Sequence, residues 1–281
     1  MEIKVSGNTP ASAADPRRRF DPRVPNPARR YDYWLGGKDN FQADRESGDA
    51  IAAAWPGIHT SVIENRRFLH RAVTFLAAEA GIRQFLDIGT GIPTSPNVHE
   101  VAQRLAPSAR VVYADNDPVV LTHARALLTS APEGDTAYLD ADLRIPDTIL
   151  SHADLGRVLD LSRPVALMLV AVLHFILDHD HPYEIVARLV GALPSGSYLV
   201  ASHASYDELP EPAATQVRSV LNASPIQVRG RSFEEFARFF DGLELLPPGI
   251  VSVADWRADH APRPRPPAAL VSCYGAVARK P

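Results

Sequence analysis

The stretch that decides the fold is Gln84-Phe-Leu-Asp-Ile-Gly-Thr-Gly-Ile-Pro93. It predicts a short buried strand over residues 84–88 that ends in a glycine turn, because apolar residues run straight into Gly89 and Gly91. Glycines at these positions let the backbone approach a ligand without a Cβ in the way. A helix is predicted next, over residues 97–105, and its N-terminus can receive a carboxylate.

The same alternation of strand and helix continues along the chain. The apolar patterns predict further strands over residues 110–115, 136–139, 165–170 and 197–202, and helices over 61–80, 118–129, 182–193, 210–224 and 232–240. Two last strands, over residues 243–253 and 270–278, have no helix between them and should pair as an antiparallel hairpin. We therefore predict an α/β fold with a mostly parallel seven-stranded sheet and helices on both faces. Five βα units closed by such a hairpin form the Rossmann-like plan of class I methyltransferases.

Composition and charge exclude several classes of protein. The 281 residues are 46% hydrophobic and 22% charged, which is typical of a globular protein and excludes wholesale disorder. The longest apolar run, residues 165–173, is far shorter than the about 20 residues of a membrane span. The single cysteine, Cys273, excludes an intrachain disulfide and a cysteine-built zinc site, and His179 and His181 fit no zinc motif. The sequence predicts a cytoplasmic protein without a metal site or a membrane partner.

The domain organisation is read from a shift in composition near residue 25. Residues 1–25 form a predicted flexible basic leader, and residues 1–30 carry seven Lys/Arg against three Asp/Glu. A nucleic-acid partner is not favoured, because no aromatic residue precedes Phe20 to stack on bases. We expect one domain over residues 26–281, with an N-terminal lid or cap at 26–60 and a Rossmann-like core at 61–281.

An acid beside the glycine turn favours one cofactor class over another. Asp87, two residues before Gly89, would attract a ligand ammonium and repel a pyrophosphate. S-adenosylmethionine (SAM) carries an ammonium and a sulfonium, whereas NAD carries a pyrophosphate. The third glycine of the dinucleotide fingerprint is also missing, since Pro93 and Thr94 stand in its region. The alternative is a tight strand-to-helix turn without a ligand.

Polar residues also follow the next two strands. Asp115 comes 24 residues after Gly91, and a carboxylate there suits a ribose diol because it accepts two hydroxyl protons. Asn116 is expected to line the adenine. After the third strand, Asp142 can accept from the adenine amino group and the Leu143 N–H can donate to a ring nitrogen. The alternative for Asp142 is a solvated loop acid.

The fourth strand leads into His174, which is the candidate catalytic residue. Ligands of open α/β sheets bind beyond the carboxyl ends of the strands, so a transferred group would lie near this side chain. A structural histidine is the alternative, both here and at His203 after the fifth strand.

The N-terminal segment makes the sequence recognisable. The stretch Tyr31-Asp-Tyr-Trp-Leu-Gly-Gly-Lys-Asp-Asn-Phe41 resembles the signature of a bacterial family of SAM-dependent methyltransferases whose substrates are mostly unknown. Further segments resemble the same family, namely residues 65–71, 87–94, 97–102, 115–118, 173–175, 240–242 and 248–250. The resemblance implies the class I fold and SAM binding by residues 87–91, Asp115 and Asp142, but it supplies no catalytic residue. Trp34 departs from the smaller aliphatic residue or leucine expected there.

The signature also has a physical interpretation. Lys38 can neutralise the SAM carboxylate, and the rings of Tyr31, Tyr33 and Phe41 can cover a sulfonium by cation–π contact. The segment would then be a lid over the cofactor, and the alternative is a structural cap. We expect a SAM-dependent methyltransferase with a small-molecule acceptor, and a homodimer is the assembly we consider. The rival functions are a SAM-binding regulatory protein without turnover and an NAD-dependent oxidoreductase.

Overall fold

The computed structural model describes residues 21–127, 130–261 and 263–281. Most of the predicted leader, residues 1–20, therefore lies outside the described residues. The α-helices are α1 Pro27–Trp34, α2 Gln42–Ala54, α3 Ile58–Ala78, α4 Val98–Leu105, α5 Pro118–Leu127, α6 Pro146–Leu150, α7 Ala153–Val158, α8 Pro182–Gly191, α9 Glu211–Ala223, α10 Phe233–Ala237 and α11 Ala268–Val271. The strands are β1 Gln84–Ile88, β2 Arg110–Asp115, β3 Asp135–Asp140, β4 Ala166–Val170, β5 Tyr198–Ala204, β6 Glu244–Leu245, β7 Val251–Ser252 and β8 Cys273–Arg279.

The strands form one sheet in the order β3-β2-β1-β4-β5-β8-β6, and β7 pairs with β8 off this path. Strands β1 to β5 are parallel to one another, whereas β8 runs antiparallel to β5, β6 and β7. The predicted α/β fold with an antiparallel C-terminal hairpin is thereby confirmed. The strand order reverses direction at β1 and β4, and this is where open α/β sheets bind ligands.

Side chains of the central strands alternate between two hydrophobic layers. In β1, Phe85 packs into the layer beneath α3 and α4, whereas Leu86 and Ile88 pack into the layer on the opposite face. In β4, Met168 and Leu167 divide between the layers in the same way. Both faces of these strands are buried, which is why their sequences are almost wholly apolar.

The last strands differ in detail from the prediction. The segment predicted as one strand over residues 243–253 is split into β6 and β7, so the described sheet has eight strands instead of seven. Pro247 and Pro248 lie between the two pieces, and proline has no N–H to donate to a ladder. The final strand begins at Cys273, because residues 268–271 form the short helix α11.

The N-terminal segment contains two helices that the hydrophobic pattern did not predict. Helix α1 begins with the Asn26 side chain accepting from Ala28 N at 2.8 Å, followed by Pro27 in the first turn. Trp34, Ile51 and neighbouring apolar residues of α1 and α2 pack against α9, forming a third and smaller hydrophobic cluster. The apolar residues of this cluster are spread over four helices, because Val62 of α3 also belongs to it. In the described part of the chain, no helix is both long and apolar enough to cross a membrane.

Candidate active site

A cleft of about 570 Å³ lies at the carboxyl ends of β1, β2, β3 and β4. Its floor is the loops that follow these strands, and its walls come from α1, α3 and the segment 225–227. Seven of the predicted site residues line it together: Asp87, Gly89, Gly91, Asp115, Asn116, Asp142 and Leu143. Parallel strands place their carboxyl ends at one edge of the sheet, which is why residues distant in sequence meet here.

Both glycines of the turn after β1 have a backbone conformation that disfavours side chains, and Gly89 also lacks the space for one. Gly89 has a φ of 73° and Gly91 a φ of 67°, both in the left-handed region that disfavours other residues. A Cβ on Gly89 would lie 2.3 Å from Cγ2 of Val172, in the loop after β4. The turn therefore presents bare backbone to the cleft and packs closely against the neighbouring loop.

Asp87 is a buried carboxyl at the base of the cleft, 6% exposed. The Thr90 hydroxyl donates to its Oδ2 at 3.2 Å. Burial raises the pKa of Asp87 to about 7, against the opposing effects of the Thr90 hydrogen bond and the Arg66 charge. Burial destabilises the ionised form of this carboxyl, so a cationic ligand group in the cleft would stabilise that form by pairing with it.

Asp115 ends β2 and fixes the glycine turn from the opposite side. Its Oδ2 accepts from Gly91 N and its Oδ1 from Asp117 N, both at 2.9 Å. Burial raises the pKa of Asp115 to about 6, although these hydrogen bonds lower it. Each carboxylate oxygen retains a lone pair, so Asp115 can still accept from a ligand hydroxyl.

The adenine side of the predicted site is formed by three residues. Asn116 Nδ2 donates to Asp142 Oδ2 at 3.1 Å, which joins the loops after β2 and β3. Asp142 also forms an ion pair with Arg144 at 2.6 Å. Burial alone would raise the pKa of Asp142, but the hydrogen bonds from Arg144 outweigh the effect of burial, so this pKa lies below its usual value. Leu143 is buried and lines the cleft.

Arg66 of α3 is a cleft residue that the sequence interpretation did not single out. Its Nη2 donates to the carbonyl oxygens of Thr94 and Pro96, which holds the segment after the glycine turn against α3. Its charge also acts on Asp87. A cation and a carboxyl in the same part of the cleft match the two charged groups of an amino acid. The sequence signal that pointed to Arg66 is its position in segment 65–71, which resembles the methyltransferase family.

The structure does not bring Tyr33 and Lys38 to the cleft. The Tyr33 hydroxyl donates to Asp49 Oδ1 at 2.7 Å on the outer side of α1, and Lys38 is exposed. The residues of the signature have a structural role in the turn after α1. The Asp32 carboxylate accepts from Asp39 N at 3.0 Å, and a Cβ on Gly37 would collide with this carboxylate. On helix α1, Tyr31 faces the cleft and Tyr33 does not, because residues two positions apart point about 200° apart around a helix axis.

A second cavity of about 110 Å³ adjoins the cleft, and Pro27, Tyr31, Asn65, Ala171 and Phe175 line both. Its other walls are mostly aromatic and aliphatic side chains of α1, α2, α3 and α9: Trp34, Ile51, Trp55, Ile58, Val62, Val217 and Leu221, with Tyr206 and Leu209 from the loop before α9. Trp34, which departs from the resembled family pattern, is thus a wall of this cavity.

His174 lines the second cavity and not the cleft itself. It lies in a 3-10 turn over residues 173–175, with its ring centroid 5.7 Å from that of His203. Burial lowers the pKa of His174 to about 3, and the charges of Arg30 and Arg231 lower it further. The imidazole is therefore neutral throughout the physiological range.

A buried arginine fixes the loop that carries His174. Arg231 donates to Leu173 O at 3.1 Å, to Ile176 O at 3.0 Å and to Asp178 Oδ1 at 2.9 Å. Its Nη1 also lies 2.9 Å from His203 Nε2, so His203 has a structural role in the core of this loop. Among the described residues, no group of three His, Cys, Asp or Glu side chains could hold a metal ion.

The sheet order, the antiparallel last strands and the acid-flanked glycine turn define the class I methyltransferase fold. A family model described as S-adenosyl methyltransferase matches residues 13–281, and the chain belongs to this family. It is a SAM-dependent methyltransferase.

Two solved structures are similar over nearly their full length. A DUF574 family protein from Streptomyces avermitilis shares 48% identity, with 93% of this chain and 99% of that chain covered and a TM-score of 0.87. A protein from Thermobifida fusca, provisionally assigned as a methyltransferase, shares 44% identity over 92% of this chain and 96% of that chain, with a TM-score of 0.85. A comparison with curated proteins finds no match.

Proposed function

We propose that the cleft binds SAM through Asp87, the glycine turn, Asp115 and the Asn116–Asp142 pair, and that a small molecule accepts the methyl group from the adjoining cavity. The observation that carries the proposal is that two buried carboxyls, Asp87 and Asp115, end neighbouring strands on either side of the glycine turn. A pyrophosphate would face both acids, whereas an ammonium and a ribose diol suit them.

The residues fit SAM in three parts. Asp87 and Arg66 would receive the ammonium and the carboxylate of the methionine portion. Asp115 would accept from the ribose hydroxyls, as predicted from its place after β2. Asp142 would accept from the adenine amino group, and the Leu143 N–H would donate to a ring nitrogen.

When bound, SAM supplies an electrophilic methyl group on its sulfonium. The protein then has to hold an acceptor atom in line with that methyl group and to exclude water. Tyr31, Asn65 and Phe175 line both the cleft and the second cavity, so they are suited to the boundary where the two reactants meet.

His174 is proposed to contact the acceptor as a neutral imidazole. Its lowered pKa argues against a role as the general base, because a catalytic base works best with a pKa near the working pH. An acceptor that needs no deprotonation by the protein fits this cavity best.

Calorimetry with S-adenosylhomocysteine (SAH), SAM and NAD tests the cofactor part of the proposal. We expect SAH and SAM to bind and NAD to give no heat at the same concentrations. Binding of NAD without a response to SAM or SAH would contradict the assignment of the cleft.

A further inference from the structure

The second cavity contains one charged side chain among its lining residues in the described chain, that of Arg30. The other polar residues on its walls are Tyr31, Ser61, Asn65, His174, Ser205, Tyr206, Ser272 and Cys273, and none of them is a carboxylate. Burial raises the pKa values of Tyr31 and Cys273 to about 12, so both are neutral. With His174 also neutral, the net charge of the lining is positive.

Arg30 is 2% exposed and weakly partnered. Its Nη1 donates to Ser47 Oγ at 3.3 Å, its Nε is buried without a partner, and the guanidinium lies 5.1 Å from the Trp34 ring centroid. Within the described residues, no carboxylate oxygen lies within the 4 Å of an ion pair with it. Burial lowers the pKa of Arg30 to about 10, so it is still protonated at neutral pH.

The nearest acid that influences Arg30 is already engaged elsewhere. Asp44 attracts the Arg30 charge, but its carboxylate lies 3.6 Å from Arg29 Nε. The same carboxylate accepts from Asn26 N at 2.8 Å and from Phe41 N at 2.9 Å. Arg30 is therefore a buried cation without a counter-ion of its own.

A buried cation without a partner is costly, and buried charges in proteins are ordinarily paired. The planar guanidinium matches carboxylates and other anionic oxygens in particular. The cavity is close to the size that takes a benzene-sized ring, and its aromatic and aliphatic walls favour an apolar body.

We infer that the acceptor is a single-ring, largely apolar molecule with one anionic oxygen group, a carboxylate or an ionised phenol, and that Arg30 recognises this group. The inference rests on the proposed function, because it takes the second cavity as the acceptor site. It also agrees with the lack of a carboxylate base on the described walls and with the lowered pKa of His174. An ionised acceptor oxygen would form an O–CH3 bond as the S–CH3 bond of SAM breaks, SAH would leave, and no proton would have to be removed.

The probes that test the inference are benzoate, ionised 4-nitrophenol and the neutral isostere benzamide. Ligand-observed NMR titrations of the full chain, with and without SAH, give the three affinities. We expect at least one anion to bind tenfold or more tightly than benzamide, because charge-assisted hydrogen bonds are worth about that factor or more. The better anion distinguishes a carboxylic acid from a phenol as the acceptor class.

Variants assign the preference to Arg30. Arg30→Met keeps the length and the apolar stem of the side chain and should make benzoate and benzamide bind alike, whereas Arg30→Lys should keep part of the preference. Arg45→Gln, on an exposed site of α2 outside both cavities, is the matched control and should behave as the wild type.

Two results would overturn the inference: equal affinity of the wild type for the anions and benzamide, or an anion preference that survives in Arg30→Met. The first comparison needs only the wild type, so it holds even if a variant fails to fold. Calorimetry of SAH on the same sample separates the two proposals. SAH binding without an anion preference removes only this inference. An Arg30-dependent anion preference without SAH binding removes the proposed function, and Arg30 then marks an anion site that is not an acceptor site.

Discussion

The raised pKa of Asp87 makes a quantitative prediction about cofactor binding. The carboxyl is about half ionised at pH 7 in the free protein, and a ligand ammonium pairs only with the ionised form. Affinity should therefore follow the ionised fraction, which falls from about three quarters at pH 7.5 to about 3% at pH 5.5. This predicts that SAH binds about 25-fold more weakly at pH 5.5.

The assay is isothermal titration calorimetry with SAH between pH 5.5 and 7.5 in buffers of different ionisation enthalpy. Binding to the wild type should release up to one proton below pH 7. Asp87→Asn keeps the shape of the side chain but removes the charge, so its affinity should be lower at pH 7.5 and nearly independent of pH. Asp147→Asn is the control, because Asp147 pairs with Arg188 on the surface and lines neither cavity.

The same pKa shift predicts an effect on stability. Because the folded pKa lies above the unfolded one, the contribution of Asp87 to stability is fully present below about pH 4 and is lost as pH rises through about 7. Because SAH is expected to bind more tightly at pH 7.5, it should also raise the melting temperature more at pH 7.5 than at pH 5.5. A wild-type affinity that does not change over this range, or an unchanged pH slope in Asp87→Asn, would refute the pairing of Asp87 with the ligand ammonium.

Three further predictions concern the other parts of the cleft. Asp115→Ala should lower SAH affinity at least tenfold in calorimetry, because charged hydrogen bonds to the ribose contribute about 1.5–3 kcal/mol each, and normal binding would contradict this role. Arg66→Met should weaken SAH binding by a similar factor and lower the melting temperature, since it also frees the carbonyls of Thr94 and Pro96; unaltered affinity would assign Arg66 to structure alone. In hydrogen exchange, amides 36–41 should gain protection on addition of SAH if the N-terminal segment closes as a lid, and equal protection with and without SAH would make it a cap.

The fold could be predicted from the sequence because its central strands are buried on both faces and each ends in a distinct residue type. The stretches around Leu86, Val112 and Leu167 are largely apolar runs followed by glycine, an acid and a histidine respectively, so the sequence predicts each strand together with its polar end. The split of the sixth strand could not be read in the same way. It depends on the prolines that interrupt pairing with β8, a strand that is distant along the chain from both β6 and β7.

The site was predictable to the extent that residues directly follow strands. Asp87, Asp115 and Asp142 lie where the parallel order of the sheet must place them. The contributions of α1 and α3 were not predictable, because the rotation of a helix about its axis decides which residues face the cleft. For this reason Tyr33 and Lys38 are predicted in the site but lie outside the cleft, whereas Tyr31 lines it and Arg66 is an addition from the structure.

The N-terminal helices connect the two cavities, and this bears on the choice between lid and cap. Helix α1 lines both cavities. Arg29 at its start lies 3.6 Å from Asp44 and 3.8 Å from Asp117, whose carboxylate accepts from Val119 N at the start of α5. The apolar side of α1 and α2 is packed on α9, so the whole segment cannot lift without exposing Trp34 and its neighbours to water. Closure over the cofactor would then be confined to the turn at residues 36–41, while α1 stays in place. Arg30 would accordingly be held in its position before either reactant binds, which favours recognition of the acceptor by a preformed site.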